Sequence, residues 1–281
     1  MSQPHHPSAS YAGLRWSGWT DGGRFRPNNE DAFLGVCFDS REIHHLGKFG
    51  HAPAQGMDFA FAVSDGLGGA RAGEYASRIA VEKIALLLPR SFRQSAVGLE
   101  AGFTEVLEEL FDQIHRALAL LGSSYPECAG MEATLSLCWF TPRWLYFGHI
   151  GDSRIYYLPA GQKTIKQLSQ DDTHVGWLLR QGRINEREAR SHPRRNLLQK
   201  ALGGANQFVD PQAGAVDCQA GDLFLLCTDG LVEGLYDHDL IELMRAPASD
   251  GSEAGPARCL VEASQAKGAR DNVTALVIEV V

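Results

Sequence analysis

Two long amphipathic helical patterns, in a chain that otherwise contains short strand-like runs, constrain this fold most. Apolar residues follow helical spacing through 71–88 and again through 99–121, so each helix has one apolar face and one polar face. An apolar face of that length must pack against another surface, and sheets built from the strand-like runs can supply it. The pattern therefore predicts sheets that are covered by helices.

Short runs rich in β-branched and aromatic residues, separated by turn signals, are predicted as strands. They are 31–38, 57–64, 133–140, 144–149, 154–158, 222–227 and 273–281. Pro89 is expected to end the first long helix, and Gly122 to cap the second. Shorter helices are expected at 173–181, 185–191, 237–245 and 257–266, and 246–256 as an exposed loop. No internal repeat or long linker divides the chain, which predicts one domain over 14–281 behind a mobile tail at 1–13.

Composition limits the compartment and the class of partner. The formal net charge of −8 in 281 residues argues against a sequence-independent hold on nucleic acid or anionic membrane. Six cysteines without a C-x-x-C pair are interpreted as buried thiols in a reducing cytosol. The first dozen residues resemble no signal peptide, and no apolar run reaches membrane-spanning length. A cytoplasmic location is the expectation.

Four aspartates stand beside apolar runs in the same way. Asp65, Asp152 and Asp229 follow such runs, and Asp271 precedes the last one. If strand ends bring these carboxylates to one rim of a sheet, they form the oxygen ligand set that Mg²⁺ and Mn²⁺ prefer. An Asp-Gly pair is, however, a common turn, and any one of these sites taken alone is more often a turn. Their recurrence, together with the Asn-Asn-Glu-Asp stretch at 28–31, favours a metal site.

Six motifs together resemble a known family. They are TDGGRFRPNNEDAF (20–33), FAVSDGLGGARAGEYAS (61–77), GMEATL (130–135), GHIGDSRIYYL (148–158), CTDGLVEGL (227–235) and RDNVTALVIEV (270–280). In order and spacing the series resembles the bacterial form of the metal-dependent serine/threonine phosphatases of the 2C type, the PPM family. The resemblance implies an α+β fold, a four-layer α-β-β-α sandwich in which helices flank two packed antiparallel sheets. It also implies a small helical flap at about 169–204.

The resemblance further implies a centre of two Mg²⁺ or Mn²⁺ ions, with a possible third. The implied ligands are Glu30 (through water), Asp65 (shared by both ions and orienting the hydroxide between them), the Gly66 carbonyl, Asp229 and Asp271, with Asp152 at the third position. Asp31 and Asn272 would stand behind them, Asn272 orienting the loop of Asp271. Glu233 stands where many relatives have Asp, so the third position is open to change.

The implied reaction is direct attack of a metal-bridging hydroxide on phosphorus. Arg26 matches the phosphate-binding arginine by its spacing to Glu30, and Arg24 is the competing candidate. Leu67 occupies the place where eukaryotic relatives often have a histidine that protonates the leaving group. The general acid is therefore unassigned, and for His149 and His174 a structural role is the ordinary alternative.

The resemblance implies hydrolysis of phosphoserine and phosphothreonine in proteins, counteracting bacterial serine/threonine kinases, by a monomer. Arg194 and Arg195 of the flap either meet acidic or phosphorylated segments of the substrate or are a solvated pair. An inactive relative that binds phosphoproteins is the competing class, although Asp65, Asp229 and Asp271 are all present. An antagonist of anti-sigma factors is a third alternative.

Overall fold

The structure is a computed structural model of the chain. It describes residues 11–39, 41–68, 72–95, 99–205, 209–246 and 255–281, and for 89–95 and 99–101 the backbone alone. The strands are β1 (Gly13–Asp21), β2 (Asp31–Phe38), β3 (Ile43–His45), β4 (Phe49–Pro53), β5 (Asp58–Leu67), β6 (Glu132–Ala133), β7 (Leu135–Phe140), β8 (Trp144–Ile150), β9 (Arg154–Leu158), β10 (Lys166–Gln167), β11 (Leu202–Gly203), β12 (Gln212–Asp217), β13 (Leu223–Cys227) and β14 (Val273–Val280). The helices are α1 (Ala72–Ser95), α2 (Leu99–Ser124), α3 (His174–Arg180), α4 (Glu186–Ser191), α5 (Asp229–Gly234), α6 (Asp237–Arg245) and α7 (Gly255–Ala266).

Two antiparallel sheets form the centre of the fold. The first sheet has the order β10-β9-β13-β14-β1-β4. The second has the order β11-β6-β5-β7-β8-β12, with β2 paired to β5 and β3 to β2. Strands distant in sequence are neighbours here, since β1 pairs along its whole length with β14 and joins the two ends of the chain.

Alternating burial in the strands creates three apolar layers. In β14, Leu276, Ile278 and Val280 face the core between the two sheets, whereas the intervening Val273, Ala275 and Val277 face α5, α6 and α7. Because successive side chains of a strand point to opposite faces, a strand that is buried on both sides belongs to two cores.

Helices cover the outer face of each sheet. In β5, Ala60 and Ala62 belong to the layer beneath α1 and α2, and the helices α5, α6 and α7 pack over the first sheet. The expected four-layer α-β-β-α arrangement is confirmed. The apolar stripe of α2 is also confirmed as core, because Val106, Leu110 and Ile114 are buried.

Both predicted ends of the long helices are wrong. The first helix continues through Pro89 to Ser95, and the second passes Gly122 and ends at Ser124. Inside a helix a proline removes one backbone donor, and its ring crowds the carbonyl group four residues earlier. Packing of the buried Ile84 and Leu88 on the sheet outweighs that local cost.

Other expectations need smaller corrections. Of the expected tail at 1–13, residues 1–10 lie outside the described residues, whereas Tyr11 is buried and β1 begins at Gly13. Four of the six cysteines are buried thiols as expected, but Cys128 is half-buried and Cys259 is exposed. Most of the expected loop at 246–256 lies outside the described residues.

Among the residues described, every helix is too short or too polar to serve as a bilayer span.

The topology brings several strand ends to one end of the sandwich. There β2 begins beside the end of β5, and β14 begins beside the end of β1. The end of β13 lies beside the start of β9 in the same way. The residues at these termini therefore meet in space, although 240 positions of sequence separate Asp31 from Asp271.

Candidate metal centre

Five aspartates gather at this end of the sandwich. Asp31 and Asp65 stand directly opposite each other in β2 and β5. Burial raises the pKa of Asp65 well above its ordinary value, and the charges of Asp31, Asp229, Asp152 and Asp271 raise it further. The fold therefore brings together acids from five of the six motifs.

Asp65 and Gly66 do not form the turn that the Asp-Gly pair suggested. Both lie inside β5, where Gly66 pairs with Ala133 of β6. A Cβ added to Gly66 would stand 1.9 Å from the carbonyl oxygen of Gly73, near the start of α1. Glycine is required at position 66 because the two backbones approach closely. Gly73 is crowded as well, because a Cβ added to it would lie 2.8 Å from the carboxylate of Glu30.

Asp229 is the first residue of the short helix α5. A Cβ added to the following Gly230 would lie 2.1 Å from the carbonyl oxygen of Asn272, so this glycine also serves a close approach of two backbones. One carboxylate oxygen of Asp229, Oδ1, is buried and has no hydrogen-bond partner. A buried acceptor without a donor is costly, and a cation would satisfy it.

Asp31 is held by Thr274 of β14 and by Thr228, which directly follows β13. The hydroxyls of Thr228 and Thr274 donate to its Oδ2 at 2.8 and 2.7 Å, while its Oδ1 is buried without a partner. The two hydrogen bonds span the two sheets and explain how a charged residue is placed behind Asp65 and Asp229.

The side chain of Asn272 organises the loop at residues 22–30. Its Oδ1 accepts from the backbone nitrogen of Glu30 at 2.8 Å, and its Nδ2 donates to the carbonyl oxygens of Gly22 and Asn28, each at 2.9 Å. The side chain therefore ties residues 22–30, which carry Arg26 and Glu30, to the start of β14. Its backbone nitrogen also donates to Asp271 Oδ1 at 2.8 Å, and an orienting role toward the loop of Asp271 stays a prediction.

Arg26 forms an ion pair with Asp271, its Nη2 lying 2.5 Å from Oδ2 of that carboxylate. The hydrogen bond to Asp271, and then the charges of Asp271, Glu30 and Asp65, raise the pKa of Arg26. Arg24 is exposed, and within the described residues no ion pair joins it to another side chain. The spacing argument for Arg26 over Arg24 agrees with this placement.

The acidic groups have the chemistry of a hard-cation site. Burial raises the pKa of Asp229 to about 7, with repulsion from Asp271 and Glu233 adding to it. Burial likewise raises the pKa of Asp31 to about 7, against the two threonine hydrogen bonds. A divalent cation relieves both the repulsion and the unpaired oxygen of Asp229, so the residues present fit a metal.

The predicted ligands lie in one region, but they do not surround a single cation position. Within the described part of the chain, no three His, Cys, Asp or Glu side chains lie in a ready ligating cluster. Arg26 occupies Oδ2 of Asp271, and the Asn272 backbone nitrogen donates to its Oδ1 at 2.8 Å. A cation bound here would therefore compete with Arg26 for Asp271.

Asp152 lies on the flap side of the centre. It is buried, its pKa is raised well above the ordinary value by burial and then by the charge of Asp229, and both acids line a cavity of about 630 Å³ beneath the flap. Glu233 lines the same cavity but is engaged elsewhere, accepting from Arg195 Nη2 at 3.1 Å and from the Arg270 backbone nitrogen at 3.0 Å.

Arginines attach the flap to the rest of the domain, and the neighbouring Arg194 and Arg195 differ in their contacts. Arg195 is paired with Glu233, whereas Arg194 is exposed. Arg190, which was not singled out, donates from Nη1 to the carbonyl oxygens of Val232 and Leu235 at 2.7 and 3.1 Å. Arg194 and Arg195 therefore differ, since Arg195 makes a structural contact and Arg194 lies on the surface.

Neither candidate histidine is placed as a general acid. His149 is buried, and its ring nitrogens contact Ser136 Oγ at 2.8 Å and the Gly151 carbonyl oxygen at 3.1 Å. His174 begins α3 and stacks on Trp177. Leu67 ends β5, near the centre.

Several supporting residues escaped the sequence reasoning. Thr228 and Thr274 were not singled out, although each lies within three residues of an acid of the centre. Thr134 was also missed, and its Oγ1 accepts from the Asp65 backbone nitrogen at 2.9 Å. A hydroxyl within three residues of a predicted ligand is the signal that could have found Thr228 and Thr274, whereas no local signal marks Thr134, which lies 69 positions from Asp65.

Comparisons with known proteins agree with this geometry. The family described as protein phosphatase 2C matches residues 48–262. A serine/threonine phosphatase, stp, of Listeria welshimeri is 30% identical over 92% of this chain and 93% of its own length. The serine/threonine protein phosphatase PstP of Mycobacterium tuberculosis is 34% identical over 95% of this chain, which spans only 45% of that protein.

The structural comparison leads to the same family. A crystal structure of the catalytic domain of PstP with two manganese ions has a TM-score of 0.74 at 30% identity, covering 96% of this chain and 99% of that one. The family match and the Listeria relative extend over most of the chain. We conclude that this chain belongs to the protein phosphatase 2C family.

Proposed function

We propose that this protein is a metal-dependent phosphatase that hydrolyses phosphoserine and phosphothreonine in proteins. The carrying observation is the convergence of Asp65, Asp152, Asp229 and Asp271 at one end of the sandwich, where an oxygen of Asp229 is buried without a partner. The Mn²⁺-containing structure of the related PstP domain supports two ions of this kind. Mg²⁺ is the alternative metal.

The residues that would hold the two ions are Glu30, Asp65, the Gly66 carbonyl, Asp229 and Asp271, with Asp152 at a third position. When bound, such ions make water acidic enough to attack phosphorus near neutral pH and neutralise the developing charge. Asp65 orients the attacking water, and Asp31, held by Thr228 and Thr274, keeps negative charge behind it.

Arg26 would bind the phosphate. Its side chain is 47% exposed and stands beside acids of the centre, so a phosphate can reach it from solvent. A planar guanidinium donates to two phosphate oxygens at once, which orients phosphorus toward the attacking water. Binding phosphate would exchange its contact with Asp271 for one with the substrate.

The leaving alkoxide must gain a proton, and His149 cannot supply it. As the Gly151 carbonyl only accepts, the proton of neutral His149 is on Nε2 and is directed to that carbonyl. Burial lowers the pKa of this histidine, which keeps it neutral. We assign the proton to solvent water at the centre.

The proposal predicts that hydrolysis of p-nitrophenyl phosphate and of a phosphothreonine peptide requires Mn²⁺ or Mg²⁺. A chelator should abolish it, and Asp229→Ala should lower kcat/KM by at least about a hundredfold, since it removes an ion ligand. Asp210→Ala is the matched control, because Asp210 is exposed and, within the part of the chain that the structure describes, its carboxylate pairs with Lys200 alone. Metal-dependent hydrolysis by Asp229→Ala at the wild-type rate would refute the assignment.

The client proteins follow from the names of the relatives. Serine/threonine phosphatases suggest phosphoproteins as substrates, and we extend this to reversal of a serine/threonine kinase by a cytoplasmic monomer. Phosphoproteomics of a deletion strain, with and without the Asp229→Ala variant supplied in trans, would identify the clients. The same sites should rise in both inactive strains.

A further inference from the structure

The loop at residues 22–30, between β1 and β2, carries an exposed aromatic side chain beside Arg26. Phe25 is 67% exposed, more than any other large apolar side chain that the structure describes. Its neighbours Arg24, Arg26 and Pro27 are exposed as well. Within the described part of the chain, Phe25 belongs to none of the three apolar layers. The ring therefore contributes little to the packing of the fold.

Hydrogen bonds hold this loop at both of its ends. The Gly23 backbone nitrogen donates to Asp21 Oδ1 at 2.8 Å, and Asn272 Nδ2 donates to the carbonyl oxygens of Gly22 and Asn28. A loop that is held in this way keeps its exposed residues in place before a ligand binds. Binding to such residues loses less conformational entropy than binding to a free segment.

The backbone is also restricted on each side of Phe25. Gly23 has a φ of +69°, and an added Cβ would lie 2.9 Å from the carbonyl oxygen of Asp271, so this turn requires glycine. Pro27 disfavours the helical region for Arg26, the residue before it. The placement of Phe25 relative to Arg26 is therefore limited by the chain itself.

A phosphorylated segment whose phosphate binds Arg26 has to pass close to Phe25. The Cα atoms of consecutive residues lie about 3.8 Å apart, and an extended peptide advances about 3.3 Å per residue. Side chains one or two positions from the phosphorylated residue are thus within reach of the Phe25 ring. An apolar side chain that covers the ring removes apolar surface from water, which favours binding.

Arg24 offers a different contact, because an exposed arginine attracts an acidic residue of the substrate. An ion pair between exposed side chains contributes little to binding, since water and salt screen it. The contact with Phe25 is not weakened in this way, because it depends on apolar area rather than charge. The balance favours an apolar residue over an acidic one next to the phosphorylated residue.

We propose that Phe25 is a specificity-determining residue, which contacts an apolar side chain one or two positions from the phosphothreonine or phosphoserine of the substrate. The inference rests on the proposed function, in which Arg26 binds the phosphate. Phe25 takes no part in the cleavage of the phosphate ester. Its effect is on which phosphorylated segments bind.

The test uses phosphothreonine peptides whose flanking residues are glycine and serine. In one series a leucine replaces a single residue at each of the two positions on either side of the phosphothreonine, and in a second series aspartate does so. The ratio of kcat/KM between leucine and parent peptides is measured with Mn²⁺. The Kd of non-hydrolysable phosphonate analogues, measured by fluorescence anisotropy, gives the same ratio without turnover.

The wild type should favour leucine about tenfold at one position at least, because covering most of a phenylalanine ring has an effect of this size. Phe25→Ala should bring the ratio to about one, and Phe25→Leu, which keeps an apolar side chain, should retain most of it. Phe49→Ala is the matched control and should keep the wild-type ratio, because Phe49 is an exposed phenylalanine of β4, outside this loop.

The ratio separates a contact with substrate from a structural role. Arg26→Ala should lower kcat/KM for leucine and parent peptides alike, since all of them share the phosphate. If Phe25 only supported the loop, Phe25→Ala would also lower both alike and would leave the ratio unchanged.

Three outcomes would overturn the inference. They are a leucine ratio near one at every position in the wild type, a ratio that Phe25→Ala does not reduce, and a preference for aspartate over leucine, which would assign the contact to Arg24. Phosphonate binding that depends on leucine and on Phe25, without hydrolysis of any phosphopeptide, would refute the proposed function alone.

Discussion

Single side chains at the centre hold loops that are far apart in sequence. Asn272 is 3% exposed and makes three hydrogen bonds to residues 22–30. Asp31 of the second sheet likewise connects distant segments, because it accepts hydrogen bonds from Thr228 and Thr274. In both cases a short polar side chain connects two parts of the chain, and its effect on the site is to place another residue.

Replacing Asn272 should disturb the loop of Arg26. Asn272→Ala removes three side-chain hydrogen bonds, one to the Glu30 N–H and two to carbonyl oxygens, so we expect about 3 kcal/mol less stability to urea and a raised KM for p-nitrophenyl phosphate. Asn272→Asp keeps the acceptor for Glu30 and should lose less. Wild-type stability and KM in the alanine variant would contradict the connecting role.

Asp58 offers a test away from the centre. It is 8% exposed and accepts from Trp139 Nε1 at 2.9 Å, and burial raises its pKa from 3.8 to about 7. Because the folded pKa is the higher one, the stability that this group contributes is complete below pH 4 and is lost as pH rises through 7.

Asp58→Asn should remove that loss, because the amide oxygen still accepts from Trp139 and cannot ionise. Between pH 5 and pH 8 we expect the variant to gain about 3 kcal/mol relative to wild type. Urea unfolding at both pH values measures the difference, in which the contributions of unaltered carboxylates cancel. Parallel pH dependences of the two proteins would show that Asp58 is ionised in the folded state.

At the scale of elements, the flap depends on contacts made by side chains with backbone groups. The guanidinium of Arg190 in α4 donates to carbonyl groups at the end of α5 and lies 3.9 Å from the centre of the Tyr236 ring. Helix α4 has only six residues and none of them is buried. An element of this kind has little packing of its own and is held by its polar contacts.

Arg190→Ala should therefore release the flap. Losing a charged donor to two carbonyl oxygens should raise the population of the open flap, and its limited proteolysis, about tenfold or more. Arg187→Ala, an exposed arginine of the same helix, should be cleaved at the wild-type rate. Equal cleavage of the two variants would place the holding contact elsewhere.

At the scale of the whole molecule, the three apolar layers stabilise the fold while its acidic end opposes it. Asp31, Asp65, Asp152 and Asp229 all have raised pKa values because burial and mutual repulsion disfavour their charged forms. Any cation that binds these acids in the folded chain therefore stabilises the fold.

Saturating Mn²⁺ should raise Tm by about 5 °C. The shift should be smaller at pH 6 than at pH 8, because protons compete with the cation for its ligand Asp229 and neutralise Asp31 behind the ligands, both of which have pKa values of about 7. A chelator should reverse it, and Asp229→Ala should reduce it. A shift that is independent of pH and of Asp229 would place the cation elsewhere.

The sequence by itself determined the class of fold and the acids of the centre. Strand period and helical period reveal the regular elements, so the two long helices and the strands at 31–38, 154–158 and 273–281 could all be predicted. The positions of Asp65, Asp152, Asp229 and Asp271 could be predicted in the same way, since each adjoins an apolar run.

Only the tertiary structure decided what these residues contact. Local signals at Pro89 and at Asp65-Gly66 were overruled, because packing on the sheet and pairing with β2 and β6 involve more interactions than a single turn. The side-chain hydrogen bonds of Asn272 reach residues 242 to 250 positions away. Periodicity fixes a residue's face within its own element, whereas pairing between distant strands selects its neighbours.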